Sequence, residues 1–176
     1  MRATNHQITL KPQDLVVLLK LSEGKDFTYS SLARQLFMSS SEVHSSLQRA
    51  KLARLASSTD EGAIQVAKSA LREFMLHGAR YAFPPISGTL VRGMPTAYAA
   101  PPLREQLVLS DEPVPVWPYS KGSTRGVALQ PLYPSVPRAA ERDSRLYDLL
   151  SLFDAIRVGA ARERELAMTA LNKLVI

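Results

Sequence analysis

Ser41, His44, Ser45, Gln48 and Arg49 are related by spacings of three and four residues (41/44, 41/45, 44/48, 45/48 and 45/49), which make neighbours on a helix surface. All five are short or fork-shaped hydrogen-bonding groups. Gln pairs with adenine N6 and N7, Arg with guanine O6 and N7, and Ser with either base. A solvated helix on an ordinary protein carries Glu and Lys outward instead, in i,i+4 pairs. The expected chemistry is therefore reading of base edges in a DNA groove, with no bond made or broken. Signatures of other chemistry are poor. His6, His44 and His77 are far apart and lack metal-ligand spacing. Absence of cysteine removes thiol catalysis, disulfides and cysteine-based zinc sites. The chain has no Gly-rich phosphate loop, no G-x-S-x-G elbow and no H-E-x-x-H. Asp111 and Glu112 precede Pro113 in a loop, the setting of solvent-facing rather than catalytic acids. No catalytic residue, metal or cofactor is expected.

Holding that face in position takes two helices and a tight corner. Leu32, Ala33 and Leu36 mark the inner side of a first short helix, and Val43, Leu47 and Ala50 that of a second. Between them Ser39-Ser40-Ser41-Glu42 is a capping box, in which hydroxyl and carboxylate satisfy reciprocal orphan amides. The pair reads as a helix-turn-helix whose second helix, about 40–53, can enter the major groove. Ser40 then joins Ser41, His44, Ser45, Gln48 and Arg49 as a candidate DNA contact. Phosphate contacts are expected from Tyr29 and Arg34 on the first helix, and from Lys51 and Arg54 past the second. Through residue 56 there are eight Lys and Arg against four Asp and Glu, a local +4 within a net +6. Most of the positive charge thus lies in this segment, which suits a polyanionic partner.

At 176 residues the chain is one medium domain, or a small one with an extension. Pro12 suits the start of a helix that ends near Gly24. Residues 57–62 read as an exposed loop and 64–77 as a helix with Gly78 at C′. Segments 80–83 and 89–92 look like strands about a Pro84–Gly88 turn, a candidate wing that would bring Arg92 to the minor groove. The stretch 79–138 holds eleven of the twelve prolines and is expected to be irregular. Within it Trp117, Tyr119 and Tyr133 read as core or as lining for a small-molecule pocket. Amphipathic helices are expected over about 141–157 and 160–175, with Arg157, Arg162 and Arg164 as surface charges. The fold class expected is mainly α with a small β component. Its parts are a winged helix-turn-helix over 1–95, a Pro-rich irregular segment over 96–138, and a C-terminal helical pair over 139–176 suited to dimerisation. With no apolar h-region at the N-terminus and no long apolar run, a soluble, cytoplasmic protein is expected.

The pattern Leu32-Ala33-x-x-Leu36-x-x-Ser39-x-x-x-Val43-x-x-x-Leu47-x-x-Ala50 resembles the helix-turn-helix core of bacterial winged-helix regulators of the MarR-like kind, over about residues 10–56. The resemblance implies a helical DNA-binding domain with a β-wing, homodimeric, repressing promoters. Two features depart from it. Phe37 stands where the family often has glycine, and a helix over 64–77 would separate the motif from the candidate wing. Segments 76–84 (LHGARYAFP) and 154–167 (DAIRVGAARERELA) resemble a bacterial helix-turn-helix family found beside toxin or nucleotidyltransferase partners. Two functions follow as expectations. One is a dimeric (auto)repressor on double-stranded DNA; the other is an antitoxin-like module that binds and inhibits a partner protein.

Overall fold

The computed structural model describes residues 9–24, 27–60, 62–107 and 112–175. His6, Glu61 and Asp111 lie outside the described residues. Helix α1 (Pro12–Leu21) has proline at its first position, and the Lys11 amide donates to Asp14 to cap it. Every residue from Asp14 to Leu21 is buried, so α1 runs through the core rather than over it. Helices α2 (Tyr29–Leu36) and α3 (Ser40–Leu52) pack on each other and on α1.

A hairpin follows α3 directly. Strands β1 (Ala56–Ser58) and β2 (Ile64–Val66) pair antiparallel, with β1 against α3 and β2 against α1. Ser57 and Ser58, expected in an exposed loop, are in β1, and Ile64–Val66, expected to open a helix, form β2. Three-residue strands rich in serine offer too few alternations to register as a pattern.

Next comes one helical run: α4 (Lys68–Glu73), a π-helical turn (Phe74–Gly78) and α5 (Ala79–Ala82). Gly78 therefore lies inside the run instead of ending it. Residues 80–82, expected as a strand, are helical, so no wing forms over 80–92. Strand propensity at Arg80–Phe83 yields to packing, since Ala79 in α5 and Phe83 just past its end are both buried.

The proline-rich stretch is more regular than expected. It contains β3 (Ser87–Pro95), a 3-10 turn (Ala97–Ala99), α6 (Pro101–Arg104), β4 (Pro115–Pro118) and β5 (Thr124–Leu129). β3 pairs antiparallel with both β4 and β5, which pair parallel with each other, closing a three-stranded ring. Closure depends on glycine: a Cβ at Gly122 would lie 2.1 Å from the backbone of Gly93. β3 ends at residue 95, yet its strand partners all lie beyond that residue.

Helices α7 (Val136–Ala140), α8 (Ser144–Val158) and α9 (Ala161–Val175) complete the chain. α8 is buried along most of its length, and one continuous core joins it to α1 and to Trp117. The architecture is mixed α/β with a small sheet. Among the described residues no helix is long and apolar enough to cross a membrane.

A buried polar network pins α8 in place. One oxygen of Asp154, which is 1% exposed, accepts Thr96 Oγ1 at 2.8 Å and Trp117 Nε1 at 2.6 Å. Its other oxygen accepts Arg157 Nε at 3.1 Å, and Arg157 also donates to the Phe83 carbonyl at 3.1 Å. Arg157 is thus a buried network member, where the sequence predicts a surface charge. Trp117 is 1% exposed and belongs to the core.

Candidate nucleic-acid interface

The α2–α3 corner is built by local sequence at each joint. Thr28 and Ser31 cap α2 reciprocally, and Ser39 and Glu42 do the same for α3. Between them Phe37 takes φ 53°, ψ 41°, the left-handed conformation that glycine usually supplies at C′. The Met38 amide reaches back to the Ala33 carbonyl at 2.9 Å, which closes a Schellman turn. A bulky residue there is strained, and the strain is offset by packing. The Arg138 guanidinium lies 3.9 Å from the centre of the Phe37 ring, and that of Arg142 5.0 Å. Arg54 takes φ 59° at the corresponding position after α3.

With the corner set, α3 buries Val43, Ser46, Leu47 and Ala50. Its exposed stripe is Ser41, His44, Ser45, Gln48 and Leu52, with Ser40 exposed at its start. Gln48 Nε2 and His44 Nε2 are 3.4 Å apart. Tyr29, from the first turn of α2, sets its ring 5.6 Å from that of His44. The stripe bears no carboxylate: Glu42, the one acid of α3, turns away and accepts from the Ser39 amide and from the Tyr133 hydroxyl. Leu52 is 63% exposed and belongs to this surface although the sequence predicts no large apolar side chain there. A thymine methyl is a fitting contact for such a group.

Arg49 does not join them. Its Nε and Nη2 grip Asp14 at 2.8 and 2.6 Å, and Asp14 is 1% exposed. A helical turn of 3.6 residues swings position 49 about 100° from Gln48, onto the flank that meets α1. Its Nε and Nη2 donors are committed to Asp14 and Ser46, which corrects its expected role as a base reader.

Arg92 is also misplaced by the sequence reading. It sits in β3 opposite Arg125, with Nε donating to the Gly122 carbonyl at 2.6 Å. The hairpin it was expected to serve is not formed, and the hairpin that is formed carries no Lys or Arg from 55 to 67. Of the expected phosphate contacts, Tyr29, Arg34 and Arg54 are exposed and Lys51 is half-buried.

A clasp from the C-terminal half is the feature that local sequence does not reveal. Tyr133 donates to Glu42 of α3, and Ser135 Oγ donates to the Leu36 carbonyl at 2.6 Å. Together with the Phe37 stack they fix α7 to the corner. The partners are 91 and 99 residues apart in the chain; the one hint in the sequence is a phenylalanine at a glycine position. Beneath them, buried Lys20 bonds to Glu23 and Asp143. Burial pushes the Asp143 carboxyl up, but hydrogen bonds from Lys20 and from the Leu146 amide outweigh it and hold the group below its usual range.

The Tyr133 hydroxyl, and after it the Ser39 amide, likewise hold Glu42 below the usual carboxylate range. A depressed carboxylate stabilises the fold above its unfolded pKa of about 4.3 and loses that contribution as pH falls through the folded value. Because the pair is near the surface, Tyr133→Phe should cost only about 0.5–1 kcal/mol at neutral pH. Urea unfolding at pH 6 and pH 3 checks this: the gap between the two proteins should narrow at pH 3. A gap of constant size would mean that the hydroxyl does not act on the Glu42 charge.

Among the described residues no group of three or more His, Cys, Asp or Glu is placed to hold a metal ion. Compared with known proteins, the chain matches no family model, no curated protein and no solved structure.

Proposed function

We propose that this chain is a sequence-specific regulator that binds double-stranded DNA. In this reading α1 to α3 with the β1–β2 hairpin are a winged helix-turn-helix, and α3 is the helix that enters the major groove. The observation that carries it is the α3 stripe. A helix buried on its inner face leaves Ser41, His44, Ser45 and Gln48 in solvent with no acid among them. The order of three helices followed at once by a hairpin supports the wing assignment, and the Schellman turn at Phe37 gives the corner its shape. As a homodimer the protein would present two such helices to half-sites about 34–36 Å apart. It acts by occupying a promoter and catalyses nothing.

The test uses a binding selection on random duplexes, followed by titration of the recovered site. Gln48→Ala and His44→Ala should each lose about 1–3 kcal/mol of discrimination, roughly 5- to 150-fold, with affinity for scrambled duplex unchanged. Equal loss on both duplexes would remove α3 from base reading.

The antitoxin-like reading keeps one observation in its favour. Tyr81, Ile86 and Leu90 are 74%, 60% and 49% exposed. Ile86 lines a cleft of about 420 Å³ together with Leu10, Phe83, Pro131 and Leu132. An apolar surface of this kind suits a protein partner, and such a partner could bind while α3 holds DNA.

A further inference from the structure

We propose that Arg34, Arg138 and Arg142 form a phosphate-binding cleft that grips the DNA backbone beside the groove entered by α3. This rests on the reading of α3 given above, and it brings the C-terminal half of the chain into the DNA contact.

The cleft has a volume of about 500 Å³ and lies where α2, α7 and the start of α8 meet, with Arg34, Phe37, Arg142 and Asp143 among its walls. Arg138, one helical turn before Arg142, stands over the same Phe37 ring. All three arginines are exposed, and among the described residues none is paired with a carboxylate. The acids nearby are already engaged. Asp143 accepts from Lys20 and from the Leu146 amide, and Glu141 accepts from the Tyr119 hydroxyl at 2.7 Å. Lys20 engages Asp143 and the Tyr119 hydroxyl engages Glu141, so the three guanidinium groups keep donors free for an anion, and their mutual repulsion is relieved by a polyanion.

Phosphate is the anion that fits best. A guanidinium presents a planar fork of donors that matches phosphate oxygens in pairs. Stacking on Phe37 holds two of the forks in place beforehand, so little side-chain freedom is left to lose on binding. The Tyr133 and Ser135 hydrogen bonds fasten these arginines to the same corner that orients α3. A phosphate held here is therefore held at a fixed position relative to α3. The hairpin cannot supply this anchor, because its strands and turn carry Asp60 and no cation.

The experiment compares wild type with Arg138→Ala/Arg142→Ala by fluorescence anisotropy, on the selected duplex and a scrambled one, across about 50–300 mM salt. Each phosphate contact removed lowers the slope of log affinity against log salt by about 1, so the double variant should lose about 2. Affinity should fall on both duplexes alike, with their ratio kept. The charge-retaining Arg138→Lys/Arg142→Lys variant should recover most of the slope. Arg34→Ala, which removes a side chain with no stacking role, should lose about 1 even if the double variant folds poorly. An unchanged slope in variants that still prefer the selected duplex overturns the cleft alone. A wild type with no preferred duplex overturns the reading of α3, and the cleft with it. Replacing chloride by inorganic phosphate at equal ionic strength separates the sources of the anion. If the double variant keeps the wild-type slope in chloride yet loses a weakening by phosphate that wild type shows, the site takes free phosphate alone and the assignment to DNA fails.

Discussion

Asp154→Ala lowers stability by about 3–5 kcal/mol, the cost of breaking a buried ion pair from one side. The carboxylate is the common acceptor for Thr96, Trp117 and Arg157, which come from three separate parts of the chain. Without it the Arg157 guanidinium keeps the Phe83 carbonyl and the face of Phe153, and the Trp117 N–H and Thr96 hydroxyl lose their partner in a site from which water is excluded. Urea unfolding measures the loss. The companion Asp154→Leu/Arg157→Met removes both charges together and should recover much of it, since an apolar pair of similar volume is often no worse than a buried ion pair. A loss under about 1 kcal/mol for the single variant would mean that water reaches this network.

Arg49→Ala has an effect of similar size from the opposite sign of charge. Asp14 is buried in the first turn of α1, and among the described residues Arg49 is the one cation bonded to it. Removing the guanidinium strands a carboxylate whose remaining partner is the Lys11 amide, for a loss of about 3–5 kcal/mol. The substitution separates two accounts of the residue. If Arg49 serves the core, stability falls while folded protein at low temperature keeps its preference for the selected duplex. If Arg49 reads a base, stability stays and the preference falls by about 5- to 150-fold. The bidentate grip on Asp14 predicts the first outcome.

What could be read in the sequence was whatever is decided within a few residues. The Ser39–Glu42 cap, the corner before it and the inner stripe of α3 are all local, and each is present in the structure. The β1–β2 hairpin was illegible because its strands are too short for a period to show, and the helical run through Gly78 because burial of Ala79 and Phe83 overrides the strand propensity of the segment. The site was legible in part. Ser41, His44, Ser45 and Gln48 are exposed as their spacing implies. Arg49 was misassigned because its partner lies 35 residues away on α1. The clasp on Phe37 was missed because it joins segments about a hundred residues apart, and no local pattern encodes such a pairing.

The central claim is that α3 reads bases, and wild-type protein tests it without any substitution. Fluorescence anisotropy is measured on the duplex from immediately upstream of the protein's own coding sequence and on a scrambled duplex, at about physiological salt. The account predicts binding to its own DNA at least about a thousandfold tighter than to the scrambled control, the discrimination typical of specific protein–DNA complexes. Equally weak binding to both, falling steeply and in parallel with added salt, would contradict it and reduce the basic N-terminal segment to a non-specific surface.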